Sequence, residues 1–305
     1  MTCSFTGIRA DGTELLLPAP AGARFDSADD APADSFRGIF PLGETCGTLV
    51  WLKISAADGE TLFYGTVDVQ REIASGSGNM LRLTCRSLAG LMLDSEPVPQ
   101  TYESPALGTI FDRHIKPYGF TSFLGDTAIF RGPLRIAKGM SEWRAAEEFC
   151  RRFLRVTPRV RGTVFDASGA ADSKAILLDN SAGTRYFRAE VRNRCCDRLT
   201  DLFVPDAATG VYKLAAEDGE TAALGIRRNR CLTKADTDAA ALLKKADRSA
   251  FAIFADCPGA PETAVGAAAS LNDPVLGTFE GLTVSQVRCT YDAEGLRTNY
   301  CFRRG

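Results

Sequence analysis

The chain has 305 residues, 45% of them hydrophobic and 24% charged, with a formal net charge of −2. This length leaves room for more than one core, the composition is that of an ordinary globular protein, and the charge gives no global case for nucleic-acid binding. No window approaches the roughly 20 apolar residues of a membrane-spanning helix. The N-terminus, MTCSFTGIRADG, lacks the basic and apolar regions of a secretion signal, so folding in the cytoplasm without stable membrane insertion is expected.

Residues 3–60 read as β structure with long polar loops. A short apolar run at 14–17 is closed by Pro18 and Pro20, the acidic stretch DSADDAPAD at 26–34 reads as a solvated loop, and 36–40 and 49–54 carry strand patterns. Asp58-Gly59 is a strong hairpin turn. Phe63, Val67 and Val69 then alternate with Thr66, Asp68 and Gln70, with a bulge or a close backbone approach expected at Gly65. After a glycine- and serine-rich loop at 75–79, Leu81, Leu83 and Cys85 alternate with Arg82, Thr84 and Arg86, the clearest strand in the chain. Ser87 is placed to cap a helical turn through Leu88, Leu91 and Met92 that stops at Pro97. Residues 1–97 thus form a first antiparallel β domain, a small barrel or a sandwich.

Residues 98–175 change character and read as a small α+β domain. Ser104 followed by Pro105 predicts a helix start, and Leu107, Ile110, Phe111, His114 and Ile115 keep helical spacing as far as Pro117-Tyr118-Gly119. Strand-like pieces surround 120–123 and 128–130. A second helix begins at Ser141, with Trp143, Ala146, Phe149, Cys150 and Phe153 on one face and acids leading bases on the other. Residues 156–165 and 175–178 flank a turn-rich loop at 166–173.

The remainder returns to β. Residues 184–204, 211–214 and 224–231 carry strand patterns punctuated at Asp218-Gly219, and 236–247 predict a third helix. Phe251, Ile253 and Ala255 alternate as a strand ending at Cys257-Pro258-Gly259. A stretch of small residues follows, ending in Leu271-Asn272-Asp273-Pro274, which breaks regular structure. Val287, Cys289 and Tyr291 are answered across an Asp292–Gly295 turn by Thr298, Tyr300 and Phe302, a terminal hairpin. A second β domain over 176–232 and 275–305, interrupted by a helix-containing insertion at 233–274, gives a β-rich α+β fold.

No chemical centre emerges. The ten cysteines form no CxxC pair and have a single histidine, His114, as partner, so reduced structural thiols are expected, with no metal and no cofactor. His114 lies on the apolar face of its helix, where a packed role is expected. Nucleophile-elbow, zinc-protease, P-loop and dinucleotide-binding patterns are missing. Carboxylate pairs cannot be diagnosed from sequence, which leaves a cell-wall hydrolase as the alternative reading. The arginines are more telling: Arg151, Arg152, Arg155, Arg192, Arg194, Arg198, Arg227 and Arg228, with Arg82 and Arg86 on the clear strand, segregate positive charge in an acidic chain. Ion pairing at solvated faces is the plainest account, and a protein–protein surface follows. A single-strand nucleic-acid groove would need aromatic interleaving, which these clusters lack.

The succession of segments resembles a known family. Gly65-Thr-Val67-Asp68-Val69-Gln-Arg71 leads into Leu81-Arg-Leu83-Thr-Cys85-Arg-Ser-Leu-Ala-Gly-Leu91, then a helix ending Lys116-Pro117-Tyr118-Gly119, a Ser141-Glu142-Trp143 helix start and a closing hairpin from Glu280 to Thr298. This order resembles the late-control-D-type baseplate hub proteins of contractile, Mu-like phage tails, although much of residues 1–60 and 217–269 lies outside the match. The resemblance implies two tail-tube-like antiparallel β-barrel domains, an intervening α+β domain and a small insertion. It also implies a structural, non-enzymatic homotrimer that joins the hexameric tail tube to the trimeric central spike. Such a hub sits in the baseplate of a phage, tailocin or related injection apparatus among other baseplate proteins, is assembled in the bacterial cytoplasm, and meets DNA at most as it passes through the channel. The arginines named above then become candidate contacts to neighbouring subunits, tube or spike. The chain ends at the hairpin, so no appended cell-wall hydrolase is expected.

Overall fold

Apolar and polar side chains alternate along the N-terminal strands, so each strand buries one face and leaves the other in water. In the computed structural model, which describes residues 3–304 except 58, 60, 77, 171–173 and 236, these strands belong to the first of two units. That unit comprises Met1–Asp172, Gly259–Pro261 and Gln286–Thr298; the second comprises Ser173–Pro258, Glu262–Ser285 and Asn299–Gly305.

In the first unit, β1 (Ser4–Arg9), β2 (Glu14–Leu17), β3 (Gly22–Ala28), β4 (Ser35–Pro41), β5 (Leu49–Ser55), β6 (Thr61–Ile73) and β7 (Met80–Ser87) pair antiparallel in the order β3-β4-β7-β6-β5-β1-β2. Phe36, Phe40, Leu52, Leu81, Leu83 and Cys85 fill the inner face. Phe5 on β1 lies 5.8 Å from Phe36 and 5.5 Å from Phe40, both on β4, although β7, β6 and β5 intervene in the sheet. Only strong curling brings such distant strands face to face, so the sheet wraps over its own core in the manner of a barrel.

The opening motif explains its glycine. A Cβ on Gly65 would lie 2.0 Å from the Arg86 carbonyl oxygen, so β6 and β7 touch there as only glycine allows. The bulge sits elsewhere, at Asp68, where the register shifts between Val67 and Val69. Ser87 is not a helix cap. Its N–H donates to the Asp34 carbonyl and its hydroxyl accepts from the Asp34 N–H, and α1 (Ala89–Leu93) starts after Leu88 without a side-chain cap. A tertiary contact has taken the side chain that local spacing assigned to the helix. Residues 26–34 are likewise no simple solvated loop: Asp26 is in β3 and bonds Arg24 and Arg288, and Asp34 is half-buried, its backbone paired with Ser87. Asp58 of the expected hairpin turn lies outside the described residues, whereas Gly59 takes φ +89° and closes a turn onto the Ala56 carbonyl.

A second core in this unit gathers Leu88, Met92, Leu107, Ile110, Trp143, Phe149 and Phe165, and Ala33, Trp51 and Tyr64 of the β part pack against it. The expected start at Ser104-Pro105 is too early. Pro105 accepts from the Phe130 N–H and Ala106 bridges Ile129, which keeps the chain extended until α2 (Leu107–Ile110), and a π turn (Phe111–Ile115) continues that helix. Ser141 does cap α3 (Glu142–Phe149), its hydroxyl accepting from the Arg144 N–H at 3.1 Å. A second π turn (Cys150–Leu154) ends at Arg155, which takes φ +60°. Five short strands also lie in this unit: Gln100–Tyr102 pairs Leu134–Ile136, and Arg159–Arg161, Val164–Asp166 and Ser122–Leu124 form a three-stranded sheet.

In the second unit, Arg188–Asn193, Phe251–Pro258, Gly295–Arg304 and Gly277–Asp292 are successive neighbours in a sheet, the last two forming the expected terminal hairpin. Both hairpin strands run from one unit into the other. Ala268–Asp273 is a strand, antiparallel to Gly277–Asp292 and parallel to Ile176–Leu178, where the sequence predicts a break. The alternation there is carried by alanine and serine, too weak a pattern to read. A separate three-stranded sheet has the order Tyr212–Glu217, Asp201–Pro205, Asn229–Cys231, and Leu202 packs on Ala239 and Leu243 of the helix Ala239–Ala250. Residues 224–228 are not strand. Asp218, expected as a turn, caps a short helix (Gly219–Ala223) by accepting from the Thr221 N–H.

Candidate assembly surfaces

On β7 the expected outward residues do face outward, but their chemistry differs. Arg86 donates from Nε to Asp68 at 2.5 Å and from Nη2 to Asp94 at 2.6 Å, and these carboxylates, Asp94 first, raise its pKa. The bulge at Asp68 and the helix-end position of Asp94 aim both acids at one guanidinium, so this arginine is internally satisfied. Arg82 is exposed, stands opposite Arg71 of β6 and Ile39 of β4, and has no ion-pair partner among the described residues. Arg37 on β4, level with Thr84, is likewise exposed and unpaired among them. Arg24 and Arg288, by contrast, share Asp26; burial alone would raise that carboxyl's pKa, but the two guanidiniums lower it. The outer face thus sorts into neutralised arginines and a free trio, Arg37, Arg71 and Arg82, beside the exposed Val69. Arg37 was legible from the alternation of β4, whereas the alternation read along β6 places Val69, and Arg71 after it, on the buried face with Phe63 and Val67; the bulge at Asp68 turns both outward.

The other arginines divide similarly. Arg151 and Arg155 are exposed, and Arg152 lies over the Phe153 ring at 5.3 Å. In the second unit Arg192 bonds Glu190 at 3.0 Å and covers Phe254 at 4.2 Å, and Arg194 pairs with Asp197 at 3.0 Å. Arg198 is buried, 8% exposed, near Asp247. Arg227 is exposed, and Arg228 donates to the Cys195 carbonyl at 2.5 Å. Neighbours in sequence therefore do not make one patch in space.

One buried polar network escapes sequence reasoning. His114 Nδ1 lies 2.6 Å from Glu142 Oε2 and its Nε2 lies 2.8 Å from the Tyr102 hydroxyl, while Tyr118 donates to Glu142 Oε1 at 3.3 Å. A carboxylate only accepts, so Nδ1 donates to it and, on a neutral ring, Nε2 accepts from Tyr102. His114 and Glu142 are 3% and 7% exposed, and their polar atoms are turned toward one another. This arrangement ties the π turn that continues α2 to the first residue of α3, both in the first unit. Burial pushes the Cys85 and Cys150 thiols up to about 12 and Cys46 up to about 11, which makes them inert fillers. Among the described residues, no three His, Cys, Asp or Glu side chains gather as a metal site, and no helix is long and apolar enough to cross a membrane.

No protein-family model and no curated protein matches the sequence. Solved structures do match in fold. A tail protein from Neisseria meningitidis MC58 superposes with a TM-score of 0.76 at 15% identity, covering 100% of this chain and 97% of its own. The 43 kDa tail protein of prophage MuSo2 from Shewanella oneidensis gives 0.76 at 12%, covering 99% and 98%. The E. coli c3393 protein, a component of the type VI secretion system, gives 0.58 at 8%, covering 98% and 76%. The chain therefore has, over its full length, the β-rich α+β fold of phage tail proteins.

Proposed function

We propose that the protein is a structural baseplate hub that joins the tail tube to the central spike of a contractile phage tail, a tailocin or a related injection apparatus. The observation that carries this reading is the end-to-end fold match at TM-score 0.76 to two tail proteins, with 97–98% of those chains covered as well. Supporting it are the curled, core-filled sheet of the first unit, the inward-turned His114–Glu142 pair, and exposed arginines with no ion-pair partner among the described residues. On this reading the protein is a homotrimer of four-part subunits divided at 1–97, 98–175, 176–232 with 275–305, and 233–274. Tail tube, spike and other baseplate proteins are its partners. Arg37, Arg71, Arg82, Arg151, Arg155 and Arg227 are the contact residues, because an exposed guanidinium with no ion-pair partner among the described residues has donors left to give a neighbouring chain. Arg86, already neutralised, holds the strand and the following helix in place.

Light scattering of the purified chain, alone and mixed with the tube and spike proteins of the same particle, tests this. Three times the 32.8 kDa chain mass is expected for the chain alone, or three copies of the chain per complex once a partner is bound. A monomer under every condition overturns the reading.

A further inference from the structure

The second unit contains a groove that the tail reading leaves unused. It has a volume of about 520 Å³, within the range of roughly 300–1,000 Å³ over which pockets hold ligands. Leu199, Leu202, Leu232 and Leu242 line it, together with Arg228, Arg230 and Lys245. The aliphatic part is anchored by the fully buried Leu202, whereas Leu242 is 36% exposed, so apolar surface is left open to an occupant. Arg228 is held at the groove by its bond to the Cys195 carbonyl, and Arg230 and Lys245 are exposed with no ion-pair partner among the described residues. Among the described residues the one carboxylate on the wall is Asp197, which is occupied by Arg194 at 3.0 Å. The wall therefore carries uncompensated positive charge around an apolar patch.

We infer that this groove binds an extended acidic peptide segment of a partner protein, with leucine-like side chains on the aliphatic patch and carboxylates on Arg228, Arg230 and Lys245. Charge complementarity selects an anion, and the guanidinium fork suits carboxylates. The aliphatic lining selects a peptide over a nucleic acid, because single-strand sites stack bases on aromatic rings and, among the described residues, no aromatic side chain lines this groove. An extended backbone also has a partner here. Asn229–Cys231, whose Asn229 and Arg230 line the groove, is an edge strand of its three-stranded sheet, paired only with Asp201–Pro205 among the described residues.

The test is independent of any tail assembly. Fluorescence anisotropy of the full-length chain is measured with a labelled peptide alternating glutamate and leucine, its glutamine-for-glutamate analogue, and a labelled oligothymidylate. Expected are saturable binding of the acidic peptide alone and loss of affinity by about tenfold or more in the R230E/K245E variant. A more local readout uses Cys196, which is exposed at the groove. In a C195S/C231S background the acidic peptide slows maleimide labelling of Cys196. Absence of peptide binding, equal binding of the glutamine analogue or the oligonucleotide, unchanged affinity in a folded R230E/K245E variant, or unprotected Cys196 would each overturn the inference.

Discussion

Removing Glu142 isolates the buried network from everything around it. In Glu142→Ala, His114 Nδ1–H loses its acceptor at 2.6 Å inside the protein, and the Tyr118 hydroxyl loses its longer bond at 3.3 Å. An orphaned buried donor costs about 1–3 kcal/mol, so the loss should be about 3 kcal/mol, most of it at His114. Glu142→Gln keeps an acceptor and exchanges a charge-assisted bond for a neutral one, which should cost about 1 kcal/mol. His114→Ala leaves a carboxylate without its main partner and should cost about as much as Glu142→Ala, while the double variant should recover about 1–2 kcal/mol of the sum. Both tryptophans of the chain, Trp51 and Trp143, lie in the first unit, so intrinsic fluorescence in a urea titration follows that unit's unfolding. Losses that add to within about 0.5 kcal/mol, or a Glu142→Ala loss no larger than that of a surface change, would refute the network.

Gly65→Ala places a methyl 2.0 Å from the Arg86 carbonyl oxygen, so the strand pair must shift; a loss of about 2 kcal/mol or more is expected in the same titration. Leu83→Ala, removing a 2% exposed side chain from the curled sheet, should cost about 2–5 kcal/mol. Burial pushes the Asp34 carboxyl from 3.8 up to about 6. The folded state then favours the protonated acid, so Asp34's stabilising contribution is present below about pH 4 and is lost as pH rises through 6, by at most about 3 kcal/mol. The melting temperature of Asp34→Asn relative to the parent should accordingly rise between pH 5 and pH 7.5, and a difference that stays flat would contradict the shift. Arg82→Glu puts an acid opposite Arg71, so the isolated chain should keep its stability to within about 0.5 kcal/mol while co-sedimentation with assembled particles falls. A destabilised chain, or undiminished co-sedimentation, would remove Arg82 from the contact surface.

The residues that were legible in sequence are those whose environment is decided locally. Leu81, Leu83 and Cys85 alternate with Arg82, Thr84 and Arg86 because one face of β7 is buried, and Ser141 caps α3 with a donor three residues away. Reading failed where a distant partner took over a local signal. Ser87 bonds Asp34 across 53 residues instead of capping a helix, and Phe130 holds Pro105 extended. Pairing of Ile176–Leu178 with Ala268–Asp273 is parallel and far apart in sequence, and small residues mute its alternation. The candidate surface was half legible for the same reason. Runs such as Arg151–Arg155 stand out in one dimension, but Arg37, Arg71 and Arg82 come from three strands and meet only through register. Which arginines are already spoken for, as Arg86 is by Asp68 and Asp94, depends on a bulge and a helix end that no spacing rule announces.

Electron cryomicroscopy of the assembled particle tests the central claim most directly. Three copies of this fold should be found as a ring between the tail tube and the central spike, with Arg82 at a contact between chains. A particle whose tube–spike junction is built from another protein, with this chain elsewhere or absent, would contradict the hub assignment.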